Sequence, residues 1–271
     1  SEEERASFRD DPSTAAALHD EISELLANGL SNTVVDADSE LLHKIEETCR
    51  LNLEESVTDP VLREQLRPDY RAACKRLVIS PNFYEGIQKT NASLVTETIT
   101  EVEANGVRTA DGQYHELDVL IVATGFQVDR FLRPIDVVNP DGLHLSEAWA
   151  QRPNAYLSVA VPGFPNLFML NGPNGPVGNF SLIEVAELQF AYFAQLIELL
   201  RSGEAEALSP TFEATKAFEG ERVEQAKKTV WATGCRSWYL DDRGIPAAWP
   251  WTFQKFRDAM TQPDLAHYQK K

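Results

Sequence analysis

Residues 71–80 read RAACKRLVIS and set Lys75 and Arg76 side by side at the start of an apolar run. In a chain with a formal charge of −17, two adjacent cations at that point admit two readings. They are a solvated strand end, the usual fate of lysine and arginine, or part of a site that handles anionic charge. An ammonium suits a point charge, while a guanidinium stays cationic at every working pH and offers several donors to a developing oxyanion. A second candidate group is Gly172, Gly175 and Gly178 in NGPNGPVGNF. Backbone amides that approach a pyrophosphate follow GxGxxG between a strand and a helix. The spacing here is GxxGxxG, and no GxGxxG occurs in the chain. The loop therefore either approaches a ligand or only shapes a turn. Three cysteines (Cys49, Cys74, Cys235) lack CxxC spacing, and five histidines (His19, His43, His115, His144, His267) lack HxxxH spacing. These patterns predict neither a disulfide framework nor a metal site.

The elements that must position these residues follow from periodicity and caps. Residues 1–70 read as helical. Ser13 is a candidate cap for TAAALHDEISELLANG, with Gly29 at its end, and SELLHKIEETCRLNLEESV carries apolar residues at helical spacing. A third helix starts at Asp59-Pro60, a cap followed by proline in the first turn. From residue 76 the pattern turns to short β-rich runs: RLVIS, SLVTETITEVEA, GVRTADG and LDVLIVATG, with ADG at 110–112 as a hairpin tip. LDVLIVATGF has the continuous apolar character of a strand buried on both faces, and NLFML at 166–170 reads the same way. Helices follow over residues 181–202 and 210–229. The mixture predicts an α/β chain.

Composition bounds the rest. With 271 residues and 43% apolar content the chain can bury a core of one large domain or two modest ones. No apolar stretch reaches the roughly 20 residues of a membrane span, and SEEERASFRDD lacks the pattern of a signal peptide. The expectation is a cytoplasmic protein with no membrane partner. The acidic balance speaks against a nucleic-acid partner, which needs a basic footprint.

Five ordered segments resemble the C-terminal half of class B flavoprotein monooxygenases, and among them the Baeyer–Villiger monooxygenases. They are CKRLVIS, NFYEGIQKTNASLV, GVRTADGQYHELDVLIVATGF, GFPNLFMLNGPNGP and CRSWYLDDRGIPAAWPWTF, collinear over about residues 59–260. The resemblance implies the second half of an interleaved flavoprotein with two dinucleotide-binding domains, one for FAD and one for NADPH. Residues 1–70 would be a helical insertion of the NADPH domain, 71–122 the C-terminal part of that domain, and 123–271 the C-terminal part of the FAD domain. The family's two GxGxxG segments and its FxGxxxHxxxW fingerprint are absent here. A missing N-terminal half, on the same or a separate chain, is therefore an expected partner.

The implied reaction converts a ketone or other carbonyl substrate to an ester or lactone with O₂, by way of a flavin C4a-peroxide. By the same resemblance Lys75 reaches the 2′-phosphate of NADPH, and Arg76 is the catalytic residue that lies against the flavin and stabilises the anionic intermediates. Trp238 would contact the nicotinamide cofactor's ribose. Leu182 would touch the isoalloxazine at a helix start, Thr124 and Gly125 would form a crossover turn beside the cofactors, and Asn179 and Phe180 would face the substrate. Trp249 and Trp251 are read as packing residues. The alternative is a non-catalytic fragment or subunit that binds a chain carrying the GxGxxG segments.

Overall fold

The computed structural model describes residues 1–178 and 180–271, without the side chains of residues 28 and 30. In chain order the helices are α1 (Glu2–Asp10), α2 (Pro12–Leu25), α3 (Glu40–Ser56), α4 (Pro60–Leu66), α5 (Phe83–Ile87), α6 (Leu145–Ala148), α7 (Leu182–Arg201), α8 (Phe212–Ala226) and α9 (Phe253–Thr261). The strands are β1 (Ile99–Glu103), β2 (Gly106–Thr109), β3 (Tyr114–Glu116), β4 (Leu208–Pro210) and β5 (Tyr268–Lys270).

Local signals set most helix ends. Ser181 accepts from the Glu184 amide to start α7, and Thr211 does the same with Ala214 at α8. Asp59 caps α4, with Pro60 in its first turn. α2 departs from the expected boundaries. Asp11, not Ser13, is its cap, and the Ser13 hydroxyl donates to the Asp11 carboxylate at 2.7 Å. A carboxylate one residue before Pro12 accepts the orphan amide and complements the helix dipole, so it outcompetes the hydroxyl. Nor does Gly29 stop the helix: the chain runs on through a π-turn at Leu26–Leu30 and a 3₁₀ turn at Ser31–Val35.

The chain divides into two units. One comprises Ser1–Ile45, Tyr70–Leu77 and Val128–Lys271; the other comprises Glu46–Asp69 and Val78–Gln127. The second unit holds the antiparallel sheet β1-β2-β3, with Val102 opposite Val107 and Val107 opposite His115. Its hairpin tip is ADG, as the sequence predicts: Gly112 takes a positive φ of 84°, and Asp111 accepts from the Thr109 hydroxyl at 2.6 Å. Gln88 ties α5 to the end of α3, accepting from the Thr58 amide and donating to the Ser56 carbonyl.

Among its described residues the first unit holds three apolar clusters. One gathers Tyr156, Val185, Tyr192, Leu196, Trp249 and Phe256 from α7, α9 and the chain before each. A second packs Val34, Leu42, Cys74, Trp231, Cys235 and Tyr239. A third surrounds Trp149 and Phe164. Each fully buried large side chain contributes about 1.5–3 kcal/mol. The β4–β5 pair closes this unit.

Three expected strands are absent. RLVIS and LDVLIVATGF adopt no strand structure, and NLFML contributes only an isolated bridge between Phe168 and Ala160. Val78, Ile79, Ile121 and Phe126 are 86%, 90%, 84% and 95% exposed. A run apolar on both faces forms a strand only between neighbours that take its backbone hydrogen bonds. Among the described residues none does.

Candidate functional site

Cys74 and Cys235 form a disulfide across a sequence separation of 161 residues, against the expectation from their number and spacing. The bond fastens CKR to CRSWY. Ala73, buried at a positive φ of 61°, turns the chain so that Cys74 points into the second apolar cluster while Arg76, two residues on, is exposed. A non-glycine residue holds that conformation at a cost on the order of 1 kcal/mol, set against burial of the cluster. Lys75 places its ammonium 4.0 Å from the centre of the Tyr70 ring.

Across the disulfide, the Tyr239 ring packs against Trp231, at 5.0 Å, and Trp238, at 4.1 Å. Exposed Arg76 lies on the other side of the disulfide, two residues beyond Cys74. Burial pushes the Tyr239 phenol up from its ordinary pKa, and the neighbouring Arg76 charge only partly offsets this. Trp238 covers one face of the Tyr239 ring and is itself 47% exposed. The hairpin beyond it is anchored by hydrogen bonds from the Ala247 amide to the Tyr239 carbonyl and from the Asp241 amide to the Ile245 carbonyl. Arg222 of α8, buried and paired with Glu219 at 2.7 Å, donates to the Pro246 carbonyl in the same hairpin. Burial works to raise the Asp241 carboxyl, but hydrogen bonds from the Arg243 side chain and the Ile245 amide outweigh it and hold it below the usual range.

The glycine loop meets this group at Gly178. A Cβ there would fall on the Tyr239 hydroxyl, and the φ of 91° independently favours glycine. Cβ atoms at Gly172 and Gly175 would strike the Ser158 carbonyl and hydroxyl. Protein atoms thus fill the space these glycines free, so the loop is a packed turn and not an open phosphate cradle. Buried Gln189 of α7 braces it, accepting from the Asn171 amide at 2.7 Å and donating to the Ser158 carbonyl at 3.3 Å. The Trp249 amide donates to the Gly175 carbonyl at 3.0 Å.

Arg76, Lys75, Trp238 and the loop before α7 therefore belong to one unit. Leu182 begins α7 and is exposed. Phe180 stacks on Phe253 at 4.7 Å, against the first apolar cluster. Asn179 lies outside the described residues. Thr124 and Gly125 are exposed and belong to the other unit. Trp249 is buried, and Trp251 packs beside it under Lys255. Sequence reasoning missed Tyr239 as the buried ring that packs on Trp231 and Trp238. The only signal was its place beside Trp238 in RSWY. Among the described residues no group of three or more His, Cys, Asp or Glu is placed to hold a metal ion, and no helix is long and apolar enough to cross a membrane.

No protein-family model matches the chain. It is 46% identical over 209 residues to an uncharacterized monooxygenase of Mycobacterium tuberculosis (strain ATCC 25618 / H37Rv), a match covering 77% of this chain and 42% of that protein. It is 36% identical over 228 residues to a Baeyer–Villiger monooxygenase of Streptomyces coelicolor, covering 83% of this chain and 44% of that one. The crystal structure of the OTEMO complex with FAD and NADP matches with a TM-score of 0.78 at 26% identity, covering 88% of this chain and 46% of that chain. The chain spans less than half the length of each of these proteins.

Proposed function

The chain is homologous to the Baeyer–Villiger branch of the class B flavoprotein monooxygenases, and from that premise we propose that it forms part of an FAD- and NADPH-dependent monooxygenase. The reaction inserts one oxygen atom of O₂ beside a ketone carbonyl to give an ester or lactone. The second oxygen atom leaves as water, with the electrons drawn from NADPH. The observation that carries this reading is the Cys74–Cys235 disulfide, which fastens the segment with exposed Arg76 to the segment with exposed Trp238.

The donor set fits the reactive end of such cofactors. Arg76 offers several N–H groups to negative charge developing on oxygen, where a fixed cation acts without reorganisation. The Lys75 ammonium suits the 2′-phosphate of NADPH. The Trp238 indole presents an N–H to the ribose, and Leu182 places an apolar side chain and the start of α7 against the flavin ring. The family resemblance assigns Thr124 and Gly125 to the crossover turn and Asn179 and Phe180 to the substrate side. When bound, FAD supplies the oxygen-activating chemistry and NADPH the hydride. Among the described residues the pyrophosphate end finds no glycine cradle: the loop with periodic glycines is filled by Ser158 and Tyr239. That function we assign to an N-terminal half outside these residues. In this scheme residues 1–70 are the helical insertion and 71–122 the closing part of the NADPH domain, with 123–271 closing the FAD domain.

The exposed apolar runs at 78–79 and 119–126 support a second reading, a subunit whose role is to bind the complementary half without chemistry of its own. Replacing Arg76 with alanine in the complete enzyme separates the two. On the oxygenase reading ester formation is lost, while NADPH oxidation continues and releases hydrogen peroxide. Ester formation at the parental rate in Arg76→Ala would overturn the assignment.

A further inference from the structure

We propose that the Cys74–Cys235 disulfide is a redox-operated clasp that holds the Arg76 segment in register with the Trp238 segment, so that its reduction uncouples oxygen transfer; the proposal rests on the oxygenase reading above. The bond joins two short stretches separated by 161 residues, and each leads directly to a candidate site residue: Arg76 lies two residues past Cys74, and Trp238 three past Cys235. Neither stretch is fixed by a ladder. Among the described residues, 75–77 and 234–236 make no backbone-to-backbone hydrogen bond, and the Arg71 side chain grips the Ala37 carbonyl, at 2.7 Å, only upstream of Cys74. The cluster around Trp231 and Tyr239 buries Ala73, Cys74 and Cys235, but apolar burial has no direction and permits sliding. The covalent bond is what sets the register, and a misplacement of about 1 Å costs a reaction about 100-fold in rate.

The two sulfurs differ in access. Cys74 is fully buried, whereas Cys235 keeps 7% of its surface exposed and stands between exposed Gly234 and Arg236. The thiolate of a small dithiol therefore attacks the Cys235 Sγ. A bond forms between the reagent's sulfur and Cys235, the protein's S–S bond breaks, and Cys74 leaves as a thiolate that takes up a proton. The reagent's second thiol then displaces Cys235, which is released as the second protein thiol. Two electrons and two protons pass to the protein, and the dithiol is oxidised to its own disulfide. The reverse exchange, with an oxidised dithiol, closes the clasp. Cys49, exposed and free, belongs to the other unit and takes no part.

The test cycles the complete enzyme, with its N-terminal half, between dithiothreitol and oxidised dithiothreitol, and peptide mapping confirms that the Cys74–Cys235 link is lost and regained. Limited trypsin digestion reports the clasp without any need for turnover. Cleavage after Arg76 should rise roughly tenfold or more on reduction, because a released segment opens more often. Cleavage after exposed Arg130 serves as an internal reference and should not change. The share of NADPH electrons recovered as ester should fall severalfold, with the remainder appearing as peroxide, and should return on reoxidation. Cys74→Ala should match the reduced form and answer to neither reagent; if it fails to fold, the cycle on the parental chain decides. Cys49→Ala should respond as the parent does, and a response lost with Cys49 overturns the assignment. A link that resists dithiothreitol in the folded enzyme overturns the proposal, as does a broken link with unaltered cleavage, or faster cleavage with ester yield at the parental level. If Arg76→Ala itself forms ester normally, the oxygenase reading falls and takes the positioning role with it; the cleavage rates still distinguish that failure from a clasp that does not open.

Discussion

Lys75 has two roles to separate. Its ammonium over the Tyr70 ring contributes a cation–π term of about 0.5–1 kcal/mol at an exposed site. That contact is indifferent to which nicotinamide cofactor is present. A bond to the 2′-phosphate is not, and losing a hydrogen bond to a charged group costs about 1.5–3 kcal/mol. Lys75→Ala should therefore raise the KM for NADPH by roughly 10–150-fold and leave that for NADH nearly unmoved. Steady-state kinetics with both cofactors checks this, and equal effects would leave only the Tyr70 contact. At this scale the sequence was informative about charge and poor about partners. The Lys75-Arg76 pair was conspicuous in an acidic chain. Nothing in RSWY distinguished the buried ring of Tyr239 from the half-exposed ring of Trp238, because that depends on Trp231 and Gly178, which only the fold brings near.

Among the elements, α7 and the loop before it act as one piece because buried Gln189 joins them. Its amide satisfies the Asn171 N–H and the Ser158 carbonyl at once. Gln189→Leu keeps the volume and strands both groups, each at a cost of about 1–3 kcal/mol. The variant should melt several degrees lower, and the Asn171 amide should lose its protection in hydrogen exchange. A melting curve and exchange rate matching the parent would show that water replaces the glutamine. The extent of α7 was legible from Ser181 to Ser202, and the start of α4 from Asp59-Pro60, because caps act within a single turn. The strands were not. RLVIS and LDVLIVATGF carry the residue types of buried strands, yet strand formation depends on neighbours that residue types alone cannot provide. The role of Gly172 and Gly175 was likewise hidden, since their counterpart Ser158 lies elsewhere in the sequence and is recognised only by contact.

At the scale of the whole molecule, the unpaired apolar runs and the filled glycine loop lead to one prediction. The 271-residue chain mixed with FAD should elute from gel filtration colourless and partly self-associated, since exposed apolar patches seek cover. With the complementary half present it should elute yellow. A stoichiometric flavin spectrum on the chain alone would show that it grips the cofactor by groups other than a glycine cradle. The division into two units has a different consequence, for how the molecule is made. The backbone passes between the units after residues 45, 69, 77 and 127, so neither unit is a continuous stretch. On a ribosome, residues 1–45 emerge before the rest of their own unit and must wait for residue 128 and beyond, roughly 4–17 s at elongation rates of about 5–20 residues per second. During that interval the helix that starts at Glu40 already has its Glu46–Ser56 stretch in the other unit, which can close as soon as residue 127 is clear. Synthesis order thus favours the smaller unit as the first to form, with the arginine-bearing segment 70–77 held in waiting until CRSWY arrives to receive it.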